Sequence, residues 1–296
     1  MLSFSDAGLG ALCATGSALT WAVTNLLIRS LSTAFNSVAL NALRSTMGGA
    51  LVVLWVATVG GWGDLATMSA RAFWLLAISV VLALGVGDTV FFESTRWLGL
   101  AQAMTIAMTY PIFSALLAVA FLNEPLSVHV LVGSVVTLAG VALTVRAQGD
   151  GPHAKGHVRL GVAAALFASV VWAIAVVAMK PALEEVDAVR AQAIRLPLAA
   201  AMLWATPWAW RRSRPLTQHP PATLWLLVAL GGLTAVSSIT FVAGVQYAGV
   251  AVATVLSSTA PIFALPLGFL FLRERPGAAA VAGTLLSIIG VAVLQR

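Results

Sequence analysis

Asp88 stands inside an apolar stretch, in the run Gly85-Val86-Gly87-Asp88-Thr89. An ionisable group in such surroundings is costly, which makes it a candidate for function. Its carboxylate either binds a substrate ammonium group or a coupling proton, or it caps a break at the glycines or pairs with Arg44 for assembly. Arg44 and Arg195 lie about a third of the way into their own apolar runs. An arginine lining a cavity grips a carboxylate through two parallel hydrogen bonds. One that serves structure instead snorkels to the interface or pairs across helices. Glu93 and Arg96 share a helical face three residues apart, forming either an ion pair at the membrane edge or part of a gate. The histidines, His129, His153, His157 and His219, all fall at the edges of apolar runs or between them, and none forms a ligand set with two acids. No metal, no cofactor and no Gly-rich phosphate loop is expected, so ATP-driven pumping by this chain is excluded.

The elements that hold these groups must cross a membrane. The chain is 60% hydrophobic and 9% charged, where soluble domains carry about 25% charged residues. A span takes about twenty apolar residues. Ten runs qualify, near 8–28, 37–59, 72–94, 99–121, 127–146, 160–180, 188–209, 224–246, 250–271 and 277–294. Helix is the default, because lipid offers the backbone no hydrogen-bond partners. The first run is too long for a signal-peptide core and is read as a retained span. The one cysteine, Cys13, allows no intrachain disulfide. Net charge +6 and a pI near 10.7 suit basic loops better than a nucleic-acid partner.

Two stretches match at a spacing of 150: Pro111-Ile112-Phe113 returns as Pro261-Ile262-Phe263, Glu124 as Glu274, and Gly133 and Gly140 as Gly283 and Gly290. At a spacing of 151, Trp21, Arg29 and Arg44 fall on Trp172, Lys180 and Arg195. The mate of Asp88 is Ser238, so the scaffold does not need this carboxylate twice. A fixed spacing over this length is an internal repeat. It divides the chain into a first five-helix repeat over 1–147, a connecting loop over 148–159 and a second repeat over 160–296. Five is odd, so the second half enters the membrane in the opposite sense. Inverted halves of this kind build secondary transporters, with the substrate near the midplane between them.

Pro111 and Pro261 are expected to kink the fourth span of each half and free carbonyls there. The hydroxyls of Thr105, Thr109 and Tyr110, and of Ser257, Ser258 and Thr259, either join those carbonyls in a cavity wall or bond their own preceding turns. Trp21 and Trp172 are either packing residues or cavity aromatics. Asn41 and Gln192 are read as interhelical hydrogen-bonders first. Glu124 and Glu274 end their helices as surface carboxylates or gate residues. Counting Lys and Arg in or beside loops gives ten on one side against four on the side of the termini, which predicts periplasmic termini in an inner-membrane protein.

These features resemble the EamA branch of the drug/metabolite transporter superfamily. The likeness rests on the duplicated Pro-x-Phe in the fourth span, the acidic residue closing it and the Gly-x6-Gly ending in Gly-Val in the fifth. It covers nearly the whole chain. Resemblance implies an all-α fold of ten transmembrane helices and a secondary carrier, usually exporting amino acids, metabolites or toxic compounds. It also implies a cavity walled by spans one, three, four, six, eight and nine. Drug efflux on the same fold is the main alternative, with a channel or an intramembrane enzyme behind it. The expected partners are the lipid bilayer, a small-molecule substrate and protons, with no ATPase subunit, and a monomer suffices.

Overall fold

The structure is a computed structural model that describes residues 6–60, 62–122, 128–146, 155–210, 216–273 and 276–293. Every regular element among them is helical. The first half comprises α1 (Asp6–Leu31), α2 (Ser37–Val59), α3 (Ala70–Leu98), α4 (Leu100–Ala107 followed by Tyr110–Leu122) and α5 (Val128–Arg146). The second comprises α6 (Lys155–Met179), α7 (Ala188–Trp204), α8 (221–248), α9 (250–257 followed by Ala260–Leu272) and α10 (Ala278–Val293). Helix α6 starts at Lys155, five residues before the repeat boundary expected from the sequence. Glu124 and Glu274 lie outside the described residues.

Large apolar side chains cover the outside: Trp55 is 60% exposed, Trp225 72%, Leu270 66% and Phe271 67%. In water such a surface would associate; in hydrocarbon it is the solvated face. Spans α1, α2, α3, α6 and α8 are each long and apolar enough to cross a membrane. Helices α4 and α9 are broken, and both break in the same way.

Gly99 (φ 81°) and Gly249 (φ 83°) take the left-handed backbone that only glycine adopts without strain, and each turns the chain from the third span into the fourth. A second break follows. The Thr109 N–H bonds the Ile106 carbonyl at 3.2 Å, and the Thr259 N–H bonds that of Leu256 at 3.2 Å. Pro111 and Pro261 then sit in the first turn of the segment that begins there. The prolines therefore do not kink a continuous helix at its middle, as the sequence suggested. They open a new one, where a missing N–H leaves nothing unbonded.

The halves are packed as an inverted pair. The guanidinium of Arg96, at the C-terminal end of α3, donates to the Ser32 carbonyl at 2.5 Å and that of Phe35 at 2.7 Å, in the α1–α2 connection. At the N-terminal end of α3, Ser69 donates its N–H and hydroxyl to Glu185 at 2.9 and 2.8 Å, in the α6–α7 connection. Those two connections are repeat mates, yet they lie at opposite ends of one span. The second half therefore runs the other way through the membrane.

Helix contacts repeat accordingly. Helix α1 packs on α8 as α6 packs on α3, while α2–α7 and α5–α10 are self-paired. The match extends to single atoms. A methyl group at Gly10 would strike Ala248, and one at Gly161, its mate, would strike Leu98, the mate of Ala248. Gly140 lies against Ser287 as Gly290 lies against Thr137. Small residues at these crossings let the backbones approach closely, the main source of association where lipid removes the hydrophobic drive.

Candidate functional site

Midway along α3 the helix widens to a π-helical segment, Val81–Gly87, immediately before Asp88. The Asp88 N–H reaches back five residues to the Ala83 carbonyl. The side-chain amide of Asn41 on α2 donates to the Leu84 carbonyl and to the Thr89 hydroxyl, the latter at 2.8 Å. A π segment changes which residues face the interior, and such segments often mark functional positions. The glycines permit it. A methyl at Gly85 would strike Met202, and one at Gly87 would come within 2.7 Å of the Trp172 indole.

That indole reaches over Gly87 to donate to Asp88 Oδ1 at 2.9 Å. Asp88 Oδ2 accepts from the Arg44 guanidinium. Arg44 Nε donates to Asn41 Oδ1 at 2.9 Å, and its Cζ lies 5.0 Å from the Phe92 ring centroid and 5.6 Å from that of Trp21. The result is a continuous network, Thr89–Asn41–Arg44–Asp88–Trp172, drawn from α2, α3 and α6. Both carboxylate oxygens are engaged by donors, and Arg44 is compensated by Asp88 and by two ring faces.

The two repeat-mate tryptophans meet edge to face, with centroids 6.0 Å apart and planes at 76°. Because mates that touch must straddle the relating axis, the pseudo-two-fold passes between Trp21 and Trp172. Tyr110 packs against Trp172 at 6.3 Å and bonds the Ser257 hydroxyl at 2.6 Å, joining the halves a second time.

Beside these groups lies a cavity with about 130 Å³ of room for the centres of water-sized occupants. One water needs about 10–15 Å³ measured this way, so the space suits a small molecule or a water cluster. Its wall comprises Ser17, Trp21, Arg44, Asp88 and Tyr110 from the first half, and Trp172, Gln192, Arg195, Ser238, Phe241 and Ser257 from the second, together with Thr234, Ser237 and several aliphatic and methionine side chains. Arg44, Gln192 and Arg195 bring α2 and α7 into that wall, beyond the six spans expected by resemblance.

Known proteins bear on this geometry. The profile of the EamA-like transporter family matches residues 8–146 and again 159–296. The chain belongs to the EamA-like transporter family. An uncharacterized transporter of Archaeoglobus fulgidus is 24% identical over 220 residues, 74% of this chain and 75% of that protein. A solved crystal structure agrees in fold, with a TM-score of 0.72 at 22% identity over 96% of this chain and 95% of the other. The protein is thus an all-helical, multi-pass membrane transporter of the drug/metabolite transporter superfamily.

Within this EamA-like protein, other sequence candidates fall away from the cavity. Thr105 shares its hydroxyl with Thr284 at 2.8 Å. Thr109 bonds Ser169 at 3.0 Å and the Ile106 carbonyl at 2.8 Å. Ser258 and Thr259 donate to the Thr254 and Leu256 carbonyls, each at 2.6 Å. These hydroxyls close turns and helix seams, the competing use for Ser and Thr. Pro111 and Pro261 also lie outside the wall. Glu93 accepts the Ser37 hydroxyl at 2.5 Å and stands 3.4 Å from Arg96. With Arg96 holding the Ser32 and Phe35 carbonyls, the pair fastens the α1–α2 connection to the end of α3. Among the described residues no group of His, Cys, Asp and Glu has the arrangement of a metal site.

Arg195 was legible in the sequence as a cavity or structural arginine matching Arg44, and Gln192 as an interhelical hydrogen-bonder.

Proposed function

We propose that this transporter is a secondary carrier that exports amino acids or similarly small metabolites across the inner membrane by alternating access. The observation that carries this reading is the cavity on the pseudo-two-fold axis, walled by both inverted halves. Rocking one half against the other would expose such a site first to one face and then to the other. Trp21, Trp172 and Tyr110 offer apolar and aromatic surface to a side chain, while Asp88, Arg44 and Arg195 supply charge. Asp88 is the group we assign to proton coupling, since a proton on its carboxyl would compete with Arg44 for the same oxygen. Both termini lie on the periplasmic side in this reading, checked by labelling terminal tags in intact and opened cells.

The test is counterflow of labelled amino acids in proteoliposomes holding the purified protein, with and without a pH gradient. Counterflow of one class of amino acid, with a gradient effect that disappears in Asp88→Asn, is the expected result. No counterflow with any amino acid would overturn the cargo assignment. A gradient effect that survives in Asp88→Asn would remove that residue from coupling.

A further inference from the structure

The second half holds an incomplete copy of the Asp88 network. Gln192 stands where the first half has Asn41, Arg195 where it has Arg44, and Ser238 where it has Asp88. Gln192 repeats its mate's role, donating Nε2 to the Ser238 carbonyl at 3.0 Å, as Asn41 donates to Leu84 on the matching helix. Arg195 has no carboxylate of its own: Asp88, the acid whose charge reaches it across the cavity, is bonded to Arg44 and Trp172. Arg195 is 4% exposed, its Nε has no hydrogen-bond partner, and it makes no ion pair among the described residues. Gln192, one turn away on α7 and 1% exposed, also leaves its Oε1 unbonded. Both side chains line the cavity.

The charges do not balance. Asp88, Arg44 and Arg195 are the buried charged side chains among the described residues, and Asp88 gives both oxygens to Arg44 and Trp172. The cavity is thus left with one uncompensated positive charge inside the bilayer. An unpaired buried ion is strongly unfavourable unless something supplies the opposite charge and the missing hydrogen bonds.

We propose that Arg195 and Gln192 form the subsite that reads a substrate carboxylate, so that the cargo is a small carboxylic acid, amino acids included, and not a simple amine or a compound without a carboxylate. This rests on the carrier reading above and narrows its substrate class. The carboxylate sits on the Arg195 fork, which matches its planar geometry. A hydroxyl or amino group beside it donates to Gln192 Oε1, and the apolar remainder lies against Phe241 and the tryptophans. A carboxylate on the fork supplies the single counter-charge that Arg195 lacks, whereas a phosphate dianion would supply one too many. An amine finds no unoccupied carboxylate in the wall.

Binding decides the matter without transport. The purified protein would be titrated calorimetrically with 4-methylpentanoate and 3-phenylpropanoate, their primary amides, and the amines of equal chain length. At least one acid is expected to bind at least tenfold more tightly than its amide and amine. Arg195→Gln should erase that preference, and Arg195→Lys should keep part of it. Ligand-free Arg195→Gln should unfold at a higher temperature than the parent, because it removes an unpaired buried charge. A structural arginine would give the opposite shift. Equal binding of acid and amide, no acid binding at millimolar concentration, a preference that survives in Arg195→Gln, or a lower unfolding temperature in that variant would each overturn the assignment. Carboxylate-selective binding without any counterflow would leave the subsite standing and sink the carrier reading alone.

Discussion

Arg44 and Arg195 are the same position on two copies of one scaffold, and they have opposite circumstances. Each lies on the second helix of its half, one turn after an amide residue that bonds a carbonyl of the opposing third helix. Arg44 is bonded to Asp88 and lies by a tryptophan face and a phenylalanine face; Arg195 lines the cavity with no ion pair of its own, feeling the charge of Asp88 only at longer range. Because the backbone environment is shared, the difference lies in one acidic residue. A duplicated fold can keep one arginine for its own cohesion and leave its twin for a ligand.

The largest expected effect comes from making the first site resemble the second. Asp88→Asn leaves Arg44 buried without its counterion, a change that costs about 3–5 kcal/mol in typical buried pairs. Thermal unfolding in detergent should show this loss, together with counterflow that no longer responds to a pH gradient. Adding Arg44→Gln should restore most of the stability and none of the gradient response. If Asp88→Asn unfolds at the parent temperature, the ion pair contributes little and the contrast between the arginines collapses.

The reverse change makes the second site resemble the first. Ser238→Asp places a carboxylate on the residue matching Asp88, facing the same cavity as Arg195. The variant should unfold at a higher temperature than the parent and bind acids at least tenfold more weakly, since the added carboxylate occupies the fork. Unchanged acid binding would show that Arg195 is not what the cargo meets.

A smaller effect separates the two tryptophans. Trp172→Phe removes a donor to a buried carboxylate and should cost about 1.5–3 kcal/mol, the range for hydrogen bonds to charged groups. Trp21→Phe keeps a ring face near Arg44 and should cost well under half as much, by the same unfolding measurement. Equal losses would mean that packing, not the indole N–H, decides both.

Much of this was legible in the sequence because repetition is legible. Constant spacing exposed five-helix halves, and an odd number forced their inversion. The doubling of Arg44 by Arg195, and Ser238 in place of Asp88, were visible before any coordinate. What spacing does not carry is which acceptor a buried hydroxyl chooses. Thr105, Thr109, Ser258 and Thr259 share the polar character of Tyr110 and Ser257, yet they face helix seams and turns. The prolines misled for a related reason: a proline inside a long apolar run is consistent with a kink or with a fresh start. The turns at Thr109 and Thr259 settle that choice locally. The orphaned state of Arg195 appears only once three helices are placed around it.

The smallest effect concerns the ends of α3, where the two halves fasten equivalent connections by opposite charge. Arg96 holds the α1–α2 connection through the Ser32 and Phe35 carbonyls. Glu185 holds the α6–α7 connection by accepting the backbone N–H and then the hydroxyl of Ser69, which pull its carboxyl below the usual range. A carboxyl lowered on folding stabilises the native state above its unfolded pKa, and that contribution disappears as pH falls through the folded value. The parent should therefore lose a small part of its stability on acidification that Glu185→Gln has already lost at neutral pH. Glu185 is exposed, so screening keeps the difference small. Unfolding temperatures of parent and variant, compared between pH 7 and pH 3, should converge on the acid side; a constant gap would show that the Ser69 contacts do not depend on the charge.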